Sequence, residues 1–270
     1  MIRHFITQHP KFGSYKNPTS KTVEASPFYW WWVALTLSDE YDEICERCQQ
    51  GSVTAETERE EQMLAVYRDF GDVRYEGDRL VAFASWWNEK VGVYKNGSKI
   101  QRGADLFAEP QDSSVHYVRD AEHALDVVND ESYLLLALPK VNDKQVVENT
   151  LRKIVEKHFS TLQGRDARNP KFSHAKYSFT KEVTAERLSK SFKLYELRRE
   201  LMLAGKRVEN ADLAEMIGIQ MSARGSKDEH TGDVIELDAW EKRRSDSNSV
   251  GRYISDARKM ISNAAIGVFP

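Results

Sequence analysis

Hydrophobic positions between Phe28 and Ile44 recur at helical spacing on two adjoining faces. Phe28, Trp31, Trp32 and Leu35 follow i, i+3, i+4, i+7, and Trp30, Ala34, Leu37, Tyr41 and Ile44 line the face beside them. Ser26 is a favourable N-cap and Pro27 suits the first helical position, so the pattern predicts one helix from Pro27 toward Cys48. A helix that is apolar around most of its circumference is normally buried. Five consecutive aromatic residues, Phe28 to Trp32, also suit a base-stacking platform, but such platforms sit beside Lys and Arg. Ser38, Asp39, Glu40, Asp42, Glu43 and Glu46 follow this run instead. Their carboxylates would repel a phosphate backbone, so a core is the expectation.

Further along, residues 54–68 predict a helix that ends before Gly71. Phe83 and Trp87, with Trp86 beside them, predict a second Trp-bearing helix that Gly92 stops. Asn96-Gly97 signals a hairpin or loop, and Leu106 to Ser114 reads as a loop leaving the domain. A junction is expected between 110 and 133. Beyond it, the apolar run Tyr133 to Leu138 reads as a buried strand, and Asn142 as the cap of an amphipathic helix carrying Val146, Val147, Leu151, Ile154, Val155 and Phe159. Residues 160–179 have little periodicity and read as a basic loop or arm. A helix with Leu188, Phe192, Tyr195 and Leu201 or Met202 on one side should close at Gly205.

These elements define an α+β fold, predominantly helical. The expected division is an acidic, Trp-rich helical domain over residues 1–125, with an assembly role, and a basic domain over 126–270 that holds one strand, amphipathic helices and a helix-turn-helix-like end. The length of 270 residues suits one or two domains. Charge follows the same division. Residues 141–270 hold 24 Lys and Arg against 19 Asp and Glu, a net +5, whereas residues 1–140 hold 15 against 23, a net −8. The stretch 151–200 carries 13 basic and 6 acidic residues. Such a stretch neutralises phosphates if it lies on one face, and is otherwise a solvated surface of Glu–Lys pairs.

Other chemistry is sparse. No apolar run approaches the roughly 18 residues that a spanning helix needs, and the start MIRHFITQHPKFGS lacks the apolar stretch of a secretory signal. A cytoplasmic protein is expected. Cys45 and Cys48 are the only cysteines; without two further ligands at matching spacing they read as ordinary thiols. Asp69-Phe70-Gly71 matches the kinase magnesium motif by accident, since the chain has neither a glycine-rich phosphate loop nor a His-Arg-Asp loop. No catalytic residue, metal ligand or cofactor is assigned.

"VENADLAEMIGI", residues 208–219, resembles the first helix and turn of a helix-turn-helix, with Ala214 as the small residue and Gly218 at the turn. The recognition helix should follow at once; here a polar stretch over 220–247 intervenes. "SNSVGRYISDARKMISNA" then has suitable chemistry. Ser247 or Ser249 would cap it, and Val250, Ile254, Ala257 and Ile261 would face inward. Asn248, Arg252, Ser255, Arg258 and Lys259 would face outward, where Arg pairs with guanine edges and Lys or Ser holds phosphate. Lys242, Arg243 and Arg244 add charge at its entrance, and Arg165, Arg168, Lys171 and Lys176 supply the arm.

The segments "SPFYWWW", "YRDFGDVR", "LFAEP" and "GRYISDARKMISNAAIGVFP" are together similar to an uncharacterised group of bacterial and prophage-associated proteins. The resemblance implies a mobile-element context and no particular activity. The leading expectation is a DNA-binding protein, regulatory or DNA-organising, acting on double-stranded DNA as a homodimer. The alternatives are an oligomeric interaction component of a defence or assembly system, possessing no nucleic-acid function, and a metal-dependent nuclease.

Overall fold

The computed structural model describes residues 5, 12–14, 17–51, 54–93, 99–109, 136, 144–158, 173, 175–181, 184–218 and 238–270. Of the expected buried strand at 133–138 only Leu136 is described, and it lies outside any strand and is 38% exposed, against the expectation; most of the 160–179 arm lies outside the described residues. The chain divides into two units, Met1–Glu109 with Asn169–Pro270, and Pro110–Arg168. In the second unit one helix, Lys144–His158, is described. Val147, Leu151 and Ile154 form its half-buried stripe, whereas Val146, expected on that stripe, is exposed.

The first unit is predominantly helical. After a two-residue pairing of Gly13–Ser14 with Asn17–Pro18, its helices are α1 (Ser20–Val23), α2 (Pro27–Thr36), α3 (Asp39–Gln49), α4 (Glu58–Phe70), α5 (Arg79–Asn88) and α6 (Arg102–Phe107). Numbering Lys144–His158 as α7, the remaining three are α8 (Ala185–Leu203), α9 (Asn210–Met216) and α10 (Ala239–Ala264). The single helix expected from Pro27 to Cys48 is two. Its continuity fails at Leu37 because the Ser38 hydroxyl accepts a hydrogen bond from the Tyr41 amide, 3.2 Å away, and so caps a new helix.

Gly92 lies in a strand rather than ending a helix. Helix α5 stops at Asn88, and Lys90–Val93 pairs antiparallel with Lys99–Gln101. The expected hairpin therefore forms, although Asn96-Gly97 itself lies outside the described residues. Leu106 and Phe107, read as the start of a loop, belong instead to α6, whose buried face packs on Trp86 and Trp87.

All nine residues from Pro27 to Leu35 are buried, so the aromatic run is core. The cover comes from both ends of the chain. Trp30 stacks on Phe192 of α8, with ring centroids 5.7 Å apart and planes within 6°. Trp31 stacks on Phe269 at 5.2 Å, and Phe28 meets Phe179 at 5.3 Å. One aromatic cluster thus draws on residues before 109 and after 176, so the expected boundary at 125/126 does not divide this core.

The segment Asp69-Phe70-Gly71 is a junction of the fold. Helix ends leave carbonyls without intrahelical donors, and side chains fill that need here. Arg102 Nη1 donates to the Asp69 carbonyl (3.0 Å), Trp86 Nε1 to that of Phe70 (2.7 Å), and the Tyr41 hydroxyl to that of Gly71 (2.8 Å). The Asp69 carboxylate accepts from the Tyr177 hydroxyl at 2.7 Å. Gly71 adopts φ +70°, a conformation that L side chains rarely adopt, and a Cβ there would lie 2.7 Å from the Arg102 guanidinium. Gly77 has φ +82° with open space around it. Gly71→Ala is therefore expected to cost more stability than Gly77→Ala in denaturant melts: about 1–2 kcal/mol for Gly77, where only the backbone is strained, and about 1 kcal/mol more for Gly71, where a Cβ displaces the Arg102 guanidinium from the Asp69 carbonyl. Equal losses would show that the Arg102 contact contributes nothing.

Candidate nucleic-acid interface

Helices α8, α9 and α10 meet around a second, smaller core of Leu194, Leu213, Ala214, Val250 and Ile254. Leu213 and Ala214 are buried, Ile217 packs against the cluster, and Gly218 turns the chain at φ +65°. These are the contacts expected of residues 208–218; Ile219 lies outside the described residues.

Helix α10 begins earlier than expected. Asp238 accepts a hydrogen bond from the Glu241 amide at 2.7 Å, and Glu241 reaches back to the Asp238 amide at 3.4 Å. This capping box satisfies two otherwise free donors, so Ser247 and Ser249 sit in mid-helix and cap nothing. The inward face is as read: Val250, Ile254, Ala257 and Ile261 are buried, joined by Met260.

Asn248, Arg252, Ser255, Arg258 and Lys259 are all exposed. At about 100° per residue, Asn248, Arg252, Ser255 and Lys259 share one ridge, and Arg258 stands on its flank. That ridge spans about 16 Å along the helix at 1.5 Å per residue. Arg252, Arg258 and Lys259 make no ion pair among the described residues.

The other cations behave differently. Arg243 is held by Glu209 at 2.9 Å and Asp212 at 2.8 Å, which ties α10 to α9. Arg244 lies over the Trp240 ring, 5.3 Å from its centroid. Lys176 is paired with Asp69 at 2.5 Å, on the junction described above. Arg165, Arg168 and Lys171 lie outside the described residues.

Folding also adds cations that reading along the chain did not assign. Arg252 shares a cleft of about 350 Å³ with Arg187 and Lys190 of α8. Arg187 is paired with Asp256 (2.8 Å) and Lys190 with Glu186 (2.8 Å), so Arg252 is the unpaired member. Arg258 shares a groove of about 300 Å³ with Arg198 and Arg199. The basic count over 151–200 signalled these side chains, but their meeting with α10 depends on how two helices cross.

Among the described residues no three His, Cys, Asp or Glu side chains are grouped as metal ligands, and no helix is long and apolar enough to cross a membrane. Cys45 is buried and Cys48 half-buried, and both are free thiols. Burial pushes the Cys45 thiol up to about 12 and raises that of Cys48. Both are therefore protonated near neutral pH, and the thiolate is the reactive form.

No family model matches the chain, and no curated protein or solved structure matches it.

Two measurements check this arrangement. A disulfide reagent applied to the native protein at neutral pH should modify the half-buried Cys48 slowly and leave Cys45 unmodified until denaturant is added; rapid modification of Cys45 would contradict its burial. Trp240 is 65% exposed, whereas the other five tryptophans are at most 7% exposed. Iodide should accordingly quench a fraction of the intrinsic fluorescence that Trp240→Phe removes, and quenching that survives the substitution would place another indole at the surface.

Proposed function

We propose that this chain binds double-stranded DNA through the outer ridge of α10, as a regulatory or DNA-organising protein. The observation that carries the reading is the ridge itself: unpaired cations and short polar side chains in one line, on a helix braced by two other helices. Its length of about 16 Å matches about five base pairs at 3.4 Å each. Arg252 and Lys259 suit phosphate or guanine contacts, and Asn248 and Ser255 suit base edges. Arg258 borders the same ridge.

In this reading α9 and Gly218 play the part of the first helix and turn of a helix-turn-helix, and α10 that of its reading element. The Trp-rich core anchors the assembly, and a homodimer would present two such helices to paired half-sites. The mobile-element setting rests on the motif resemblance alone.

Fluorescence anisotropy with random duplex DNA across a salt series tests the proposal. A protein that neutralises phosphates loses affinity linearly in log salt, by about 0.9 per phosphate contacted. The wild-type chain should bind at low salt, and Arg252→Ala with Lys259→Ala should flatten that slope by about 2. No binding at low salt, or an unchanged slope in the double variant, would remove α10 from the interface.

A further inference from the structure

We infer that the groove between the C-terminal half of α8 and Arg258 is a docking site for an acidic peptide segment with an apolar anchor. The groove shares Arg258 with the border of the DNA ridge but holds neither Arg252 nor Lys259, so the two proposals are tested by different substitutions.

Helix α8 ends with two large apolar side chains in solvent: Met202 is 61% exposed and Leu203 81%. Both line the groove of about 300 Å³, together with Tyr195 and the guanidinium groups of Arg198, Arg199 and Arg258. No carboxylate is among its described lining residues. Arg198 donates to Asn210 Oδ1 at 2.7 Å, and Arg199 to Asp39 Oδ1 at 2.7 Å and the Leu37 carbonyl at 3.3 Å. A guanidinium offers five N–H donors, so each retains donors beyond these contacts, and Arg258 has no partner among the described residues.

The two features together choose the occupant. Arg198 and Arg258 meet no carboxylate among the described residues, while Arg199 is paired with Asp39; the two uncompensated guanidinium groups favour a negatively charged partner, through charge complementarity. A thioether and an isobutyl group offer nothing to a phosphate or a base edge, and they gain by covering an apolar side chain at about 25 cal/mol per Å² removed from water. An acidic segment with a Leu, Ile or Phe anchor meets both demands, whereas a nucleic-acid strand meets only the first. The contacts holding Arg198 and Arg199 come from α9 and the start of α3, so two of the three guanidinium groups are positioned before anything binds, which lowers the ordering cost of association.

A phage-displayed library of short random peptides, selected on the full chain and subtracted on a Leu203→Ser, Arg258→Glu double variant, tests the assignment. Both substitutions lie at exposed positions; circular dichroism and thermal melting confirm that the variants are folded. Survivors should carry Asp or Glu around a Leu, Ile or Phe. The strongest, made synthetically, should lose about tenfold or more in affinity for either single variant and bind Arg252→Ala like the wild type. No survivors, survivors without acidic residues, or an affinity indifferent to Arg258→Glu would overturn the inference. Displacement of the peptide by duplex DNA that persists in the Arg252→Ala, Lys259→Ala variant would overturn it too, since the groove itself would then bind phosphate.

Discussion

A helix with no polar face has to be covered on every side, and that constraint organises this molecule. In α2 every residue from Pro27 to Leu35 is buried, although no single neighbouring helix can surround it. Phe70, Phe83, Trp86, Trp87 and Phe107 close one part of the circumference, and Phe179, Phe192 and Phe269 close another. The chain must therefore return to its beginning at its end. Large rings make that return specific, because tilted and offset contacts between aromatics depend on geometry as well as on area.

The same return places the proposed DNA-binding helix. Ala257, Met260, Ile261 and Ala264 of α10 belong to the aromatic core, while Val250 and Ile254, two turns and one turn earlier, belong to the small core with α9. Leu188 and Phe192 of α8 join the first core and Leu194 the second. Two helices thus run through both clusters, and the two cores support the ridge from beneath. Ion pairs mark the same joints: Arg79 with Glu196, Lys193 with Glu24, and Arg199 with Asp39. Such partly exposed pairs contribute at most about 1 kcal/mol each, so their effect lies in fixing register more than in adding stability.

Local patterns in the sequence were informative and long-range ones were not. The aromatic run, the break at Gly71 and the inward face Val250, Ile254, Ala257, Ile261 were legible because each depends on residues within a few turns. The start of α10 was misread because a Ser at 247 or 249 has the chemistry of a cap, whereas Asp238 with Glu241 satisfies two backbone amides and takes precedence. The split at Ser38 follows the same logic of local capping. The partition of the core was not legible at all: nothing near Trp30 shows that it will stack on Phe192, 162 positions away. For the candidate site, the outward stripe was visible as a helical period. Which of its cations would remain free was not, because Arg243 and Lys176 are claimed by carboxylates that only folding brings near.

Which cations stay free separates the structural charges from the available ones. Arg74, Arg79, Arg102 and Arg243 each meet a carboxylate within 3 Å. Arg252, Arg258 and Lys259 meet none among the described residues, yet they stand on a helix that both cores hold. An exposed Lys or Arg on a mobile segment loses side-chain and backbone freedom when it binds; on a fixed helix only the side-chain part is lost. The pairs at Arg79, Arg199 and Arg243 join separate segments, whereas Arg252, Arg258 and Lys259 present unpaired charge on a helix held by both cores, an arrangement that suits binding a polyanion.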